Sequence, residues 1–437
     1  MAAQTDKLVA HVNGIPAGYL SPSPDSPKYV FTYFADASSD AFVSLTMPVR
    51  AESYVWQEGL HPIFQMNLPE GYQKDLLRHH LGPSMPVDDF HLLALTGSRG
   101  IGRTKIFAWG EAPTKNVPAA ASIELLAHPD SRAALLEALN TVGTENISGV
   151  MPKAIALPPD QKLTLPTEHW ILKTGRQDTP GIAINEYLCL ELAREMRLPV
   201  PKTLLSTDGQ VIAVERFDRA GDEDIGLEDF CALMGLPPYK KYETTLEAIA
   251  RHLKIHCAPS ELMESSTRLI EMNVLNLVVR NADAHAKNYA MLYSSKENAI
   301  LAPVYDVLTV SAYPDFAQSP YGLSIGGRKA WNLRKELERI AVEHLNLPKT
   351  VVAVAVEKVS VAMVKVMPMI AQHVEEFPEF REIGKRMIRL WQEGFATTAG
   401  KAHPPLNIDM GSAKLSDEAP QPKRKDRTTK STMYRPS

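Results

Sequence analysis

The chain has 437 residues, 44% hydrophobic and 22% charged, and its formal net charge of −4 excludes broad electrostatic attraction to nucleic acid as its mode of action. Cys189, Cys231 and Cys257 lie far apart with no Cys-x-x-Cys, so they read as buried thiols of a reducing cytoplasm and not as disulfides or zinc ligands. Met1–Lys7 is too polar for an export signal and no apolar run reaches transmembrane length, so a cytoplasmic protein with no membrane role is expected.

Residues 8–50 read as short strands. Leu8–Val12 leads into Asn13-Gly14, a hairpin signal, and Tyr29–Tyr33 and Ala41–Leu45 come next. Residues 69–95 are more helical. Thr96-Gly-Ser-Arg-Gly-Ile-Gly102 has the spacing of a dinucleotide-binding turn, but such a turn must open a helix. The adjoining segment, Thr104–Gly110, is β-prone, and no Tyr has a Lys four positions on, so a dehydrogenase is set aside for a glycine-bearing turn between two strands. A helix over 121–140, with Ile123, Leu126, Ala133 and Leu136 on one face, is expected to connect this module to the next.

From 145 to 220 strands return. His169–Lys173 and Val211–Phe217 are predicted strands around a helix Glu186–Met196, whose Tyr187, Leu188, Leu192 and Met196 give an apolar stripe. Beyond 227 helices dominate, over 244–255, 260–280 and 350–372. The end of the chain, basic over Lys423–Ser437 and without apolar pattern, is expected to be a disordered tail.

The densest chemistry is Asn281-Ala-Asp-Ala-His-Ala-Lys-Asn288, directly after an apolar helix, with Ala302-Pro-Val-Tyr-Asp306 further on. An ordinary polar helix-ending turn competes with a catalytic reading. Asp283 followed by Asn288 has the spacing of a protein-kinase catalytic loop, in which the carboxylate meets the acceptor hydroxyl and the amide oxygen reaches magnesium. Asp306 would hold metal against the phosphates, and His285 stands where a group can face the transferred phosphoryl. A kinase then requires upstream parts in order. Gly143–Gly149 is the candidate glycine loop, Lys173 the strand lysine, Glu186 its helix partner, and Val214–Phe217 the hinge beside adenine. Asp283-Ala-His285 also opens a metallophosphoesterase pattern, but the later Gly-Asp and Gly-Asn-His motifs are missing. A binding module that keeps the kinase shape without catalysis is the other alternative.

These motifs resemble the HipA family, the serine/threonine-kinase toxins of bacterial type II toxin–antitoxin systems. Ile147–Lys153 is similar to the family's glycine-rich loop; Asn185-Glu-Tyr187, Val214–Arg219 and Glu228–Cys231 are similar to three further signatures; Asp283–Asn288 and Tyr305-Asp306 match its catalytic and metal motifs. Asn67–Gly71 and Asp88-Asp89-Phe90 resemble its N-terminal domain. Two departures are Asn146, where relatives carry the first of two loop serines, and Leu227, where Gln is common.

The resemblance implies an α+β fold: a two-lobed protein-kinase-like core with a small N-terminal α/β module and a helical C-terminal lobe. Its expected parts are 1–115, 116–225 with glycine loop and hinge, 226–397 with the catalytic loop, and the tail 398–437. It implies ATP and Mg2+ as cofactors, Asp283 as base and His285 at the phosphoryl. Asn288 and Asp306 would bind metal, and Ser148, Gly149, Lys153, Lys173, Glu215, Arg216, Phe217, His285 and Asn288 would line the ATP site. Ser148 is the candidate for autophosphorylation. It also implies a protein substrate, an aminoacyl-tRNA synthetase in characterised relatives, and a HipB-like helix-turn-helix antitoxin through which operator DNA is met mostly indirectly. A pseudokinase scaffold within an antitoxin–operator complex is the alternative.

Overall fold

The computed structural model describes residues 6–23, 28–57, 59–69, 74, 88–111, 123–145, 163–176, 178–221 and 223–400. Strands β1 (Leu8–Val12), β2 (Ile15–Pro22), β3 (Tyr29–Tyr33), β4 (Tyr54–Trp56) and β5 (Thr104–Ala108) form an antiparallel sheet ordered β4-β3-β2-β1-β5. The turn between β1 and β2 is the predicted one: Asn13 and Gly14 have φ of 50° and 79°, the left-handed pair that matches strand twist. Leu8, Ala10, Leu20 and Phe31 of the sheet pack with Phe90, Leu92 and Leu93 of the helix Asp89–Thr96, which Asp88 caps by accepting from the His91 N–H at 3.0 Å.

Two expectations fail in this module. Ala41–Leu45 is not a strand; Ser44 makes a single bridge to Met47. Phe42 joins the large core of the molecule and Val43 the N-terminal core, so a strap spanning two cores imitates the apolar run of a strand. Thr96–Gly102 does not lie between two strands either. It runs from the end of the helix Asp89–Thr96 through a 3-10 turn, Gly97–Arg99, towards β5. Its glycines serve close approach: a Cβ on Gly97 would lie 2.6 Å from Ile106 Cβ, and Gly102, at φ 91°, donates its N–H to Asp218 Oδ2 at 2.7 Å.

The second module is an antiparallel sheet ordered β6-β7-β9-β8, from β6 (Leu163–Pro166), β7 (Trp170–Thr174), β8 (Thr203–Leu205) and β9 (Val211–Glu215). The helix Ile182–Glu195 lies on one face, burying Leu188 and Leu192 with Ile212 and Val214. Leu126 and Leu135 cover the other face, against Leu172, Val211 and Ala213. With both faces buried, β9 reads as a continuous apolar run, not an alternation. The expected helix 121–140 is two pieces, a 3-10 turn Ile123–Ala127 and a helix Ser131–Glu145, the latter started by Asp130 Oδ1 accepting from the Ala133 N–H at 2.8 Å. Leu126 of the turn and Leu135 and Ala138 of the helix are buried, while Ile123 and Ala133 are exposed, because the break at 128–130 resets the helical phase. The strand predicted to Phe217 ends at Glu215.

A hairpin of β10 (Arg219–Ala220) and β11 (Glu223–Asp224) leads to the C-terminal lobe. There β12 (Gly226–Asp229), β13 (Ala290–Tyr293) and β14 (Ile300–Leu301) form a sheet beside the helices Leu246–His256, Leu262–Val278, Arg334–Glu343, Thr350–Glu376 and Arg381–Ala399. Leu262–Val278 is the central helix, with Leu269, Ile270, Val274, Leu275, Leu277 and Val278 fully buried. The last helix runs to Ala399, just beyond the expected start of the tail, and 401–437 lie outside the described residues. All three cysteines are buried and none is in a disulfide.

Candidate active site

Lys173 is placed by the period of β7. Trp170 and Leu172 turn to the core beneath the sheet, so Lys173 points to the opposite face, over the helix Ile182–Glu195. Its Nζ donates to Glu186 Oε1 at 2.6 Å and to Asp306 Oδ1 at 3.0 Å. Burial alone would lower this ammonium group, but the Asp306 and Glu186 carboxylates outweigh it and hold the lysine above its ordinary range. Glu186 is itself buried, so the lysine is its compensating charge.

The catalytic-loop candidate follows the helix Leu262–Val278. Asn281 Nδ2 donates to Asn276 Oδ1 at 2.9 Å, and the Asp283 N–H donates to Asn281 Oδ1 at 3.1 Å, which turns the chain out of the helix. The backbone N–H of His285 then donates to Asn288 Oδ1 at 2.9 Å. Asn288 Nδ2 donates to Asp306 Oδ2 at 2.9 Å. Asp306 has φ 56°, a left-handed conformation that Asp tolerates better than most residues. Asn288, Asp306, Lys173 and Glu186 thus form one connected network drawn from a strand, a helix, the loop after Leu262–Val278 and the later segment of Asp306. His285 is buried; burial pushes its imidazole down to about 4, against the opposing pull of Asp283 and Asp306. Its Nδ1 has no hydrogen-bond partner among the described residues.

Asn185, next to Glu186, is the buried anchor of its helix. Its Oδ1 accepts from the Thr309 N–H at 2.8 Å and its Nδ2 donates to the Thr309 carbonyl at 3.2 Å. Trp391 Nε1 donates to Thr309 Oγ1 at 2.7 Å, fixing the same residue from the last helix. The hinge candidates divide. The Glu215 and Arg216 N–H groups are committed to the Lys202 and His169 carbonyls, both at 2.8 Å. The Arg216 guanidinium is structural, holding both Asp218 oxygens at 3.0 and 2.5 Å and the Thr167 carbonyl at 3.1 Å. Phe217 packs on Tyr305 with ring centroids 5.5 Å apart, beside Asp306.

Gly143 falls in the last turn of the helix Ser131–Glu145, so the expected glycine loop does not begin there. Ser148, Gly149 and Lys153 lie outside the described residues. Among the described residues no group of three or more His, Cys, Asp or Glu side chains could hold a metal unaided. The candidate donors are the Asp306 carboxylate and the Asn288 amide oxygen, which already accepts from the His285 N–H and has one lone pair left; both are hard oxygens of the kind that magnesium takes together with phosphates.

The family model described as the HipA-like C-terminal domain matches residues 146–367, and that of the HipA N-terminal domain matches residues 8–107. The chain belongs to the HipA family. A candidate kinase of Sinorhizobium fredii is 31% identical over 300 residues, covering 63% of this chain and 70% of that protein. The serine/threonine-protein kinase toxin HipA of Shewanella oneidensis is 24% identical over 347 residues, 72% of this chain and 78% of the relative. A solved structure of the Shewanella oneidensis HipA, HipB and operator DNA complex shares the fold, with TM-score 0.64 at 18% identity over 88% of this chain and 97% of that one. The HipA-family fold accounts for the two lobes and the N-terminal module.

Sequence reading missed two participants. Tyr242 donates its hydroxyl to Asp283 Oδ1, and Asn185, noted as part of a signature, has its role set by Thr309, 124 positions away. Neither contact leaves a local spacing to read.

Proposed function

We propose that this chain is a Mg-ATP-dependent serine/threonine protein kinase acting as the toxin of a type II toxin–antitoxin system. The observation that supports it most directly is the Lys173 ammonium bonded to Glu186 and Asp306 at once, with Asn288 on the second oxygen of Asp306. This is the charge arrangement required to grip a nucleotide triphosphate and its metal. Bound Mg-ATP would supply the phosphoryl group and neutralise its developing charge. Asp283 would take the proton of the acceptor hydroxyl, and Lys173 would hold phosphate oxygens. His285, with a buried ring nitrogen lacking a partner among the described residues, fits a hydrogen bond to phosphate. Since Glu215 and Arg216 spend their N–H groups on the sheet, the hinge donor for adenine falls to the Phe217 backbone.

The same reading divides the chain into 1–115, 116–225, 226–397 and 398–437, in the cytoplasm; no helix among the described residues is long and apolar enough to cross a membrane. It takes Gly149 and Lys153 as further ATP contacts and Ser148 as the autophosphorylated serine. A phosphate at Ser148 would add roughly two negative charges beside the triphosphate site. Its acceptor is a protein hydroxyl, with an aminoacyl-tRNA synthetase the first to try. Its partner is a HipB-like helix-turn-helix antitoxin, as in the Shewanella complex, which would bring it to operator DNA.

Incubation of the purified chain with ATP and magnesium, followed by intact and peptide mass spectrometry, tests this. Added phosphate in the wild type and none in Asp283→Gln is the expected result. Equal phosphate in both removes Asp283 as the base. Growth arrest that survives substitution of both Asp283 and Asp306 favours the pseudokinase scaffold.

A further inference from the structure

The hydroxyl of Tyr242 donates to Asp283 Oδ1 from 41 positions upstream. The tyrosine lies between the 3-10 turn Pro238–Lys240 and the helix Leu246–His256, outside the kinase-like motifs of the sequence. Its ring stands edge-on to His285, with centroids 5.0 Å apart at 77°. The ammonium groups of Lys241 and Lys329 lie 5.6 and 5.8 Å from its centroid, and Lys329 Nζ donates to the Tyr242 carbonyl at 3.0 Å. The backbone is joined as well, since the Ala286 N–H donates to the Lys241 carbonyl at 3.1 Å. A half-buried aromatic side chain is therefore held against the catalytic loop by contacts with its ring and backbone, and its polar tip meets one oxygen of the candidate base.

We propose that Tyr242 is a positioning residue for phosphoryl transfer, orienting Asp283 so that Oδ2 faces the acceptor hydroxyl. The inference rests on the kinase reading of Asp283. In the step it serves, the acceptor oxygen bonds to phosphorus while the bond to the leaving diphosphate oxygen breaks and that oxygen keeps the electron pair. The acceptor proton passes to Asp283 Oδ2, and the Tyr242 proton stays on the phenol. The tyrosine fixes the rotation of the carboxylate, a freedom that an unrestrained Asp would have to lose at each turnover. The charged or titratable groups around the pair are Lys241, Lys287, Lys329, His285 and Asp306, and all of them remain when only the hydroxyl is removed.

The test is Tyr242→Phe in the full chain, read as the rate of phosphate gain by intact mass across pH at varied ATP with magnesium. The expected rate loss is roughly ten- to a hundredfold, part of the 10²–10⁴ that a positioned base supplies. The KM for ATP should stay within about twofold, so that the loss falls on kcat alone, a pattern that lost packing would not produce. An active wild type matched by Tyr242→Phe in rate and profile overturns the role, as does a faster variant, which would make the tyrosine a plug. Phosphate found on Tyr242 itself also overturns it, because the hydroxyl would then be an acceptor. A wild type that transfers no phosphate removes the kinase reading and the role with it. If the variant does not fold, the contact is read in the tyrosine 13Cζ resonance of the wild type against Asp283→Asn: a shift at Tyr242 supports the proposal, and its absence overturns it.

Discussion

Lys173 and Asp306 stand 133 positions apart and meet at 3.0 Å, one on a strand of the small lobe and the other in the lobe of helices. The same ammonium group bonds the buried Glu186 at 2.6 Å, so a single cation joins sheet, helix and the segment of Asp306.

Replacing Lys173 by Met should therefore have two separable effects. Phosphate transfer should be lost, and Glu186 should be left as an uncompensated buried charge, at a cost of about 3–5 kcal/mol. Adding Glu186→Gln should restore much of the stability and none of the transfer. Thermal melts and phosphate gain measured on the single and double variants check both halves.

Asn185→Leu tests the anchor behind the pair. The isosteric side chain leaves the Thr309 N–H and carbonyl without their partner, at about 1–3 kcal/mol for each orphaned group. The expected signature is a lower melting temperature and a raised KM for ATP, because Glu186 then sits on an untethered helix.

Gly322 offers a test that removes no functional side chain. A Cβ there would lie 2.3 Å from the Ala284 carbonyl oxygen and 2.9 Å from that of Ala282, on either side of Asp283. Gly322→Ala must displace the loop backbone, and overpacking of this kind costs about 1–3 kcal/mol. Activity should fall at least about tenfold, since misplacement by about 1 Å is that damaging to aligned groups. Kinetics alongside a chemical-denaturation curve would show whether activity falls further than stability.

Glu228 predicts a pH effect at the junction of the N-terminal module with the core. Its carboxylate accepts from Ser44 Oγ at 2.6 Å and the Leu45 N–H at 2.9 Å. Burial pushes the acid up to about 7, against the pull of those two bonds. Between the ordinary value of 4.5 and about 7 the folded chain binds the extra proton. The resulting stability is full below the ordinary carboxylate range and lost as pH climbs through about 7. At about 1.4 kcal/mol for each tenfold change in proton affinity the loss is on the order of 3 kcal/mol. Denaturation midpoints measured from pH 5 to 8 should fall in the wild type, and Glu228→Gln should flatten the decline.

The candidate catalytic loop could be picked out because its residue types are local: Asp283, His285 and Asn288 share one short segment after an apolar helix, and Asp306 comes soon after. Lys173 was legible because strand alternation set it opposite Leu172. The N-terminal strap and the connecting helix misled for one reason, that an apolar pattern records burial without saying what buries it. Phe42 and Val43 face two different cores, and the break at 128–130 shifts the buried face to Leu135 and Ala138. The glycine turn Thr96–Gly102 opens onto a strand and not an α-helix, as read, but its packing against Ile106 and Asp218 could not be foreseen.

By itself the sequence determined most of the strand and helix periods and singled out candidate residues in kinase-like order, since each is written within a few neighbouring positions. Only the tertiary structure decided that Lys173 bonds both carboxylates, that Arg216 is spent on Asp218, and that Tyr242 and Asn185 stand behind the site. Those pairings join residues far apart along the chain, and the core that packs around them sets which side chains meet.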